Sequence, residues 1–283
     1  MKAAPYDYAK PHACDEAIAL VAATDGMGKF VSGSQSLGPM MNLRLAQPDM
    51  LVDLRGIAAL RACRIDGEVV TLGAAVTHAE IEDGKHLVLR DGPLGSMLRY
   101  VAAGIAYRAV RNRGTIGGSL AHADPAADWP LALSALDAQI ELTGATGVRQ
   151  VPAAQFMLGA FTTQLADGEL ITAVVIPQAS DAMRWGYYKL CRKTGEFAHA
   201  SAAAVFDAGR GYARVVVGAL EGPAASLDAL AASIAQRGAA AATQVAIADA
   251  VAAVMPNADA IDRGMHEAAV ERCVAAALDP STI

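Results

Sequence analysis

The chain has 283 residues, of which 54% are hydrophobic and 18% charged, enough apolar material for one large or two to three small cores and too much for general disorder. Its 23 Lys and Arg against 29 Asp and Glu leave a formal charge of −6, and no basic run is present that could neutralise a nucleic-acid backbone. No stretch of about 18 uncharged apolar residues encodes a membrane span, and the opening residues lack an apolar signal core, so a cytoplasmic chain is expected.

Taken in chain order, residues 6–8 read as a short extended piece. A helix is expected after Pro11, with Ala17, Ile18, Val21 and Ala22 at helical spacing and Asp15 and Glu16 in its first turn. A strand over 29–31 runs straight into Ser32-Gly33-Ser34-Gln35-Ser36, followed by a short helix over 37–45 and a strand over 50–54. Residues 68–75 are strand-like. Thr77 with Glu80 three residues on forms a capping box, and 93–103 is a helix opened by proline. Residues 111–128 are glycine-rich and polar, ahead of a helix over 126–136. Short strands around 138–142 and 170–176 lead to Pro177, a domain boundary. Strands near 185–190, 200–206 and 214–219 follow, and Gly222-Pro223 introduces three Ala-rich helical stretches that cover a sheet. Strands followed by segregated helices make this last part α+β.

Metal chemistry is not expected on this chain. Cys14, Cys63, Cys191 and Cys273 lie too far apart for a zinc or iron–sulfur spacing. The six histidines are scattered, and His266-Glu267-Ala268-Ala269-Val270 breaks the two-histidine helical zinc motif at its second position.

Two loops carry the chemistry. Ser32-Gly33-Ser34-Gln35-Ser36 follows a strand and precedes a helix, so its backbone N–H groups can meet a diphosphate, although an ordinary strand-to-helix turn has the same composition. It matches neither the dinucleotide G-x-G-x-x-G fingerprint nor a P-loop. Thr115-Ile116-Gly117-Gly118-Ser119 offers small residues a second time, with two glycines that permit positive φ and an anion nest. Two such loops suggest a ligand with two adjacent phosphates, for which FAD is the natural candidate. His122 and Asp124 read as a local hydrogen-bonded turn rather than an acid–base pair.

These segments resemble a known family. Residues 32–45 with Leu51-Val52-Asp53-Leu54, residues 111–128, and Tyr188-Lys189-Leu190-Cys191-Arg192-Lys193-Thr194-Gly195-Glu196-Phe197-Ala198 are similar, in order and spacing, to three motifs of the medium, FAD-binding subunit of molybdenum hydroxylases, the xanthine dehydrogenase and carbon monoxide dehydrogenase family. The resemblance implies an α+β chain: a two-subdomain FAD-binding fold of the vanillyl-alcohol-oxidase type over residues 1–177, with subdomains of about 1–55 and 56–177, and a smaller α+β flavoprotein domain over 178–283. It implies cofactor contacts from Phe30, Val31, Ser32, Gly33, Ser34, Gln35, Ser36 and Leu37, from Thr115, Ile116, Gly117, Gly118 and Ser119, and from Asp128, Leu170, Lys189 and Phe197. Asp128 alternatively serves the first turn of its helix, Phe197 alternatively belongs to a core, and Lys189 alternatively lies on a solvated basic face. The first loop commonly reads Ala-Gly-Gly in the family, so Ser32 and Ser34 are departures that add hydroxyls and make a positive φ at position 34 less comfortable.

The implied function is electron transfer by FAD, with molybdopterin and two-iron two-sulfur clusters on large and small partner chains of a heterotrimer or a dimer of heterotrimers. No catalytic base is nominated on this chain, and the substrate pocket is expected on another. Two alternatives stand beside this reading: a self-contained flavin oxidase or dehydrogenase, and a structural subunit without cofactor.

Overall fold

Strand parity explains the first layer. A computed structural model describes residues 2–279, opening with β1 (Asp7–Ala9), α1 (Cys14–Ala22), β2 (Gly28–Val31), α2 (Leu37–Asn42) and β3 (Met50–Asp53). Strands β1 and β2 both pair in parallel with β3, giving the order β1-β3-β2, because the helical crossover α1 and the segment carrying α2 return the chain to the same edge direction. Ala17 and Ile18 of α1 pack with Val52, Leu54 and Ile57 on one face. Val31, Met41 and Leu51 close a smaller core on the other.

The second layer is an antiparallel five-stranded sheet, assembled from β4 (Cys63–Asp66) and β5 (Val69–Gly73) on one side. Helices α3 (His78–Glu82), α4 (Gly92–Ala103), α5 (Arg108–Arg111), α6 (Ile116–His122) and α7 (Asp128–Ala135) intervene before β6 (Gln139–Gly144) and β7 (Gly147–Pro152). After α8 (Ala153–Phe156) and the small hairpin of β8 (Met157–Gly159) and β9 (Thr162–Thr163), β10 (Leu170–Pro177) enters between β5 and β6, so the order is β4-β5-β10-β6-β7. Thr77 caps α3 as expected: its Oγ1 accepts from the Glu80 N–H at 3.2 Å while the Glu80 carboxylate accepts from the Thr77 N–H at 2.9 Å. The stretch expected as a polar loop over 111–128 instead contains α6, whose N-cap is Thr115.

The last layer is an antiparallel sheet of β11 (Met183–Leu190), β12 (Ala200–Asp207), β13 (Tyr212–Gly218) and β14 (Ala225–Ser226), followed by the three helices α9 (Asp228–Arg237), α10 (Gln244–Val254) and α11 (Ala260–Leu278). Every residue of β12 is buried. Ala200, Ala202, Ala204 and Phe206 face a cluster with Val270, Cys273 and Val274 of α11, whereas Ala203 and Val205 face a cluster that also holds Trp129, Leu131 and Ile140. The alanines permit this double covering, and Gly186 is required because a Cβ there would come within 1.9 Å of the Cys273 carbonyl oxygen. One apolar cluster therefore runs across Pro177, from the five-stranded sheet to Trp185, Tyr187 and Val216.

Candidate functional site

The strand β2 delivers the first loop with Phe30 and Ser32 on one face and Val31 on the other, as period-2 alternation requires. Val31 is buried in the core of the first layer and Leu37 packs against the same core. Phe30 and Ser32 instead line a cleft with Leu54, Leu60, Ala74, Ala75, Gly117, Gly118, Leu165, Glu169 and Leu170. Ser34 adopts φ +59°, so the chain accepts the left-handed conformation that its side chain disfavours. A left-handed residue within a loop is the backbone feature from which anion nests are built. Among the described residues, the N–H groups of Gly33, Ser34, Gln35 and Ser36 donate to no oxygen of the chain. The Gln35 amide folds back onto the Gly33 carbonyl at 3.1 Å. Ser32 Oγ is buried and also has no partner. Open donors in the same loop as a buried orphan hydroxyl can receive an anionic, oxygen-rich group.

The two loops meet. A Cβ at Gly33 would come within 2.2 Å of the Arg113 carbonyl oxygen and 2.7 Å of the Gly114 Cα, so glycine is what allows the contact. The second loop differs from expectation, however. Its N–H groups are already engaged: Ile116 donates to Val76 O at 3.0 Å, Gly117 to Ala74 O at 2.9 Å, Gly118 to Thr115 Oγ1 at 3.1 Å and Ser119 to Thr115 O at 3.0 Å. Neither glycine has a positive φ. Gly117 is needed for packing, since a Cβ would meet the Ala74 Cβ at 2.6 Å and its carbonyl oxygen at 2.8 Å. Ile116 and Thr115 are buried. The second loop thus lines the same cleft as a glycine wall with its own N–H groups engaged, and Gly118 is exposed there.

Beneath this wall lies His78, which sequence reasoning missed. Its backbone N–H donates to the Gly114 carbonyl at 2.9 Å, and its Nδ1 accepts from the Trp129 indole N–H at 3.1 Å. Burial, aided by the nearby Arg111 charge, lowers its pKa to about 4, so the imidazole is neutral at physiological pH. Asp124 accepts from the Ala126 N–H at 2.9 Å, the local turn expected of it, and His122 lies tilted against Phe161 with ring centroids 5.2 Å apart.

Asp128 and Lys189 find each other. Lys189 Nζ donates to Asp128 Oδ2 at 2.9 Å and lies 3.3 Å from the Gly104 carbonyl oxygen, while Tyr187 donates its hydroxyl to Asp128 Oδ1 at 2.6 Å. Burial pushes the Asp128 carboxyl above the usual carboxylate range, against the pull of the Lys189 ammonium and the Tyr187 hydroxyl. Tyr187 and Lys189 are two apart on β11 and share a face, a parity signal that could have identified Tyr187. Leu170 begins β10 at the cleft and is 2% exposed, whereas Phe197 is 61% exposed in the segment after β11. No three His, Cys, Asp or Glu side chains among the described residues could together hold a metal ion.

Residues 4–179 match the family model described as the FAD binding domain in molybdopterin dehydrogenase. The chain is 37% identical over 211 residues to the nicotine 6-hydroxylase medium subunit of Paenarthrobacter nicotinovorans, covering 73% of this chain and 71% of that protein. It is 38% identical over 200 residues to the carbon monoxide dehydrogenase medium chain of Hydrogenophaga pseudoflava, covering 71% and 68%. Among solved structures, carbon monoxide dehydrogenase from Hydrogenophaga pseudoflava superposes with a TM-score of 0.89 at 33% identity over 98% of both chains. Quinoline 2-oxidoreductase from Pseudomonas putida 86 does so with a TM-score of 0.85 at 30% identity over 100% of both. The chain belongs to the family of FAD-binding domains of molybdopterin dehydrogenases.

Proposed function

We propose that this chain is the FAD-holding electron-transfer subunit of a multi-subunit molybdenum hydroxylase. It receives electrons from two-iron two-sulfur clusters on a small partner chain and passes them to an external acceptor, while hydroxylation occurs at a molybdopterin centre on a large one. Relatives that are themselves named medium subunit and medium chain support the division of labour. The match over residues 4–179 supports a division of the chain near Pro177.

The observation that carries the reading is the first loop, where four open N–H donors and the orphan Ser32 hydroxyl stand together beside a glycine wall. These residues fit FAD. Gly33, Ser34, Gln35 and Ser36 would hold its diphosphate through their N–H groups, with Ser32 adding its hydroxyl, and Phe30, Gly118 and Leu170 would wall the cleft. When bound, FAD supplies the one- and two-electron redox chemistry. The protein's part is to bind and orient it and to place charge near it. Lys189 is suited to that last task because Asp128 and the Gly104 carbonyl hold its ammonium in one position. A fixed cation beside the ring favours the more negative, reduced state of the ring system.

Co-expression of the full chain with the large and small chains tests the reading by flavin extraction and native mass spectrometry. One FAD per copy of this chain, in a complex containing all three chains, is expected. An assembled complex without flavin contradicts it, as does an isolated chain that oxidises alcohols or amines with oxygen.

A further inference from the structure

One strained turn touches both segments of the last layer that carry Lys189 and Phe197. Residues 104–107 connect α4 to α5, and Ala106 sits at φ +43°, a conformation an alanine keeps only where its surroundings over-determine it. Arg111 supplies that determination. Its Nη1 donates to the Ile105 and Ala106 carbonyl oxygens, both at 3.0 Å, while Nε and Nη2 grip the Glu82 carboxylate at 2.8 and 2.9 Å. The side chain is 12% exposed. A planar fork with five donors is required to hold two carbonyls and a carboxylate at once, and lysine cannot reproduce it.

The turn in its turn seats the segment after β11. Ile105 pairs with Gly195 in a parallel bridge, and a Cβ at Gly195 would lie 2.4 Å from the Ala106 carbonyl oxygen, so the two backbones are in direct contact. Phe197 stands two residues beyond. At the other end of the turn, the Gly104 carbonyl accepts from Lys189. Neighbouring Arg108 provides a contrast: it binds Glu82 and Asp83 on the exposed side and touches neither carbonyl of the turn.

We propose that Arg111 is a positioning residue for the cofactor, fixing through the 104–107 turn the approach of Lys189 and Phe197. The inference rests on the proposed function and on the resemblance that implies cofactor contacts from Lys189 and Phe197. Loss of the fork frees the turn to relax, and the 195–197 segment and the Lys189 ammonium move with it.

The test uses the full chain loaded with FAD and reads the visible circular dichroism of the flavin and its midpoint potential. In Arg111→Gln, the flavin bands are expected to change as Phe197 leaves the ring, and the potential to shift negative as the ammonium withdraws. Glu82→Gln, which leaves Arg111 in place but weakens its anchorage, gives smaller changes of the same sign and serves if Arg111→Gln does not fold. Arg108→Gln leaves both unchanged. Phe197→Ala, at an exposed position, reports on the underlying reading: it should change the bands on its own. If it does so while both Arg111→Gln and Glu82→Gln match the parent, the positioning role is overturned and the reading stands. Bands unchanged in Phe197→Ala overturn the reading and the inference with it.

Discussion

Replacing Ser32 by alanine should move two properties in opposite directions. In the ligand-free chain the Ser32 hydroxyl is buried with no partner among the described residues. Such a group costs about 1–3 kcal/mol relative to one that is satisfied or removed. Ser32→Ala deletes it and leaves a methyl among Phe30, Leu54 and Leu170, so the free chain should gain about 1 kcal/mol, roughly 2–4 °C in melting temperature for a chain of this size class. With FAD bound, the same hydroxyl meets a charged oxygen, an interaction worth about 1.5–3 kcal/mol. Its loss should therefore weaken FAD binding roughly ten- to hundred-fold. Scanning fluorimetry of the flavin-free chain and fluorescence titration with FAD read the two effects separately. A melting temperature that falls together with unchanged FAD affinity would refute the reasoning, because the hydroxyl would then be serving the fold and not a ligand.

The two glycines of the second loop should behave differently. Gly117→Val drives into Ala74 and is expected to destabilise the fold by about 1–3 kcal/mol or more, whereas a Cβ at Gly118 has only the Thr115 Oγ1 within 4 Å, at 2.9 Å, so Gly118→Val should lower flavin occupancy with a smaller change in melting temperature. His78 makes stability depend on pH. Its folded pKa of about 4 lies below the ordinary histidine value, so the unfolded chain binds more protons between pH 6.5 and 4, and stability should fall by roughly 3 kcal/mol as pH drops through that window. His78→Asn should flatten the slope in denaturant titrations, and an unchanged slope assigns it to other groups. For the buried pair, Lys189→Met alone should cost about 3–5 kcal/mol by stranding Asp128, and adding Asp128→Asn should recover much of it. Additive losses in that double-mutant cycle mean the pair is not coupled.

Features set by short-range chemistry could be read from the sequence. The Thr77 and Glu80 capping box needs only residues three apart, and the strand, small-residue loop and short helix around Ser32 depend on local alternation. The contact between the two loops was also legible in outline, through two runs of small residues and a resemblance that spans both. Other features depend on long-range partners. Gly117 looks like a phosphate-approach glycine until Ala74, 43 positions earlier, is seen against it. Asp128 and Lys189 each looked ready for a ligand, and their pairing across the seam between layers only emerges when β11 lies over α7. The turn held by Arg111 carries no local signature, because its strain falls on an alanine. Pro177 marks a chain boundary in composition, yet the apolar cluster continues past it, since both sheets bury faces against α4 and α7.

A structure of the full chain with FAD bound tests the central claim most directly. The account expects diphosphate oxygens within about 2.7–3.2 Å of the backbone nitrogens of Gly33, Ser34, Gln35 and Ser36, with the Ser32 hydroxyl satisfied in the same site. A diphosphate bound elsewhere, with those four N–H groups facing only water, contradicts it.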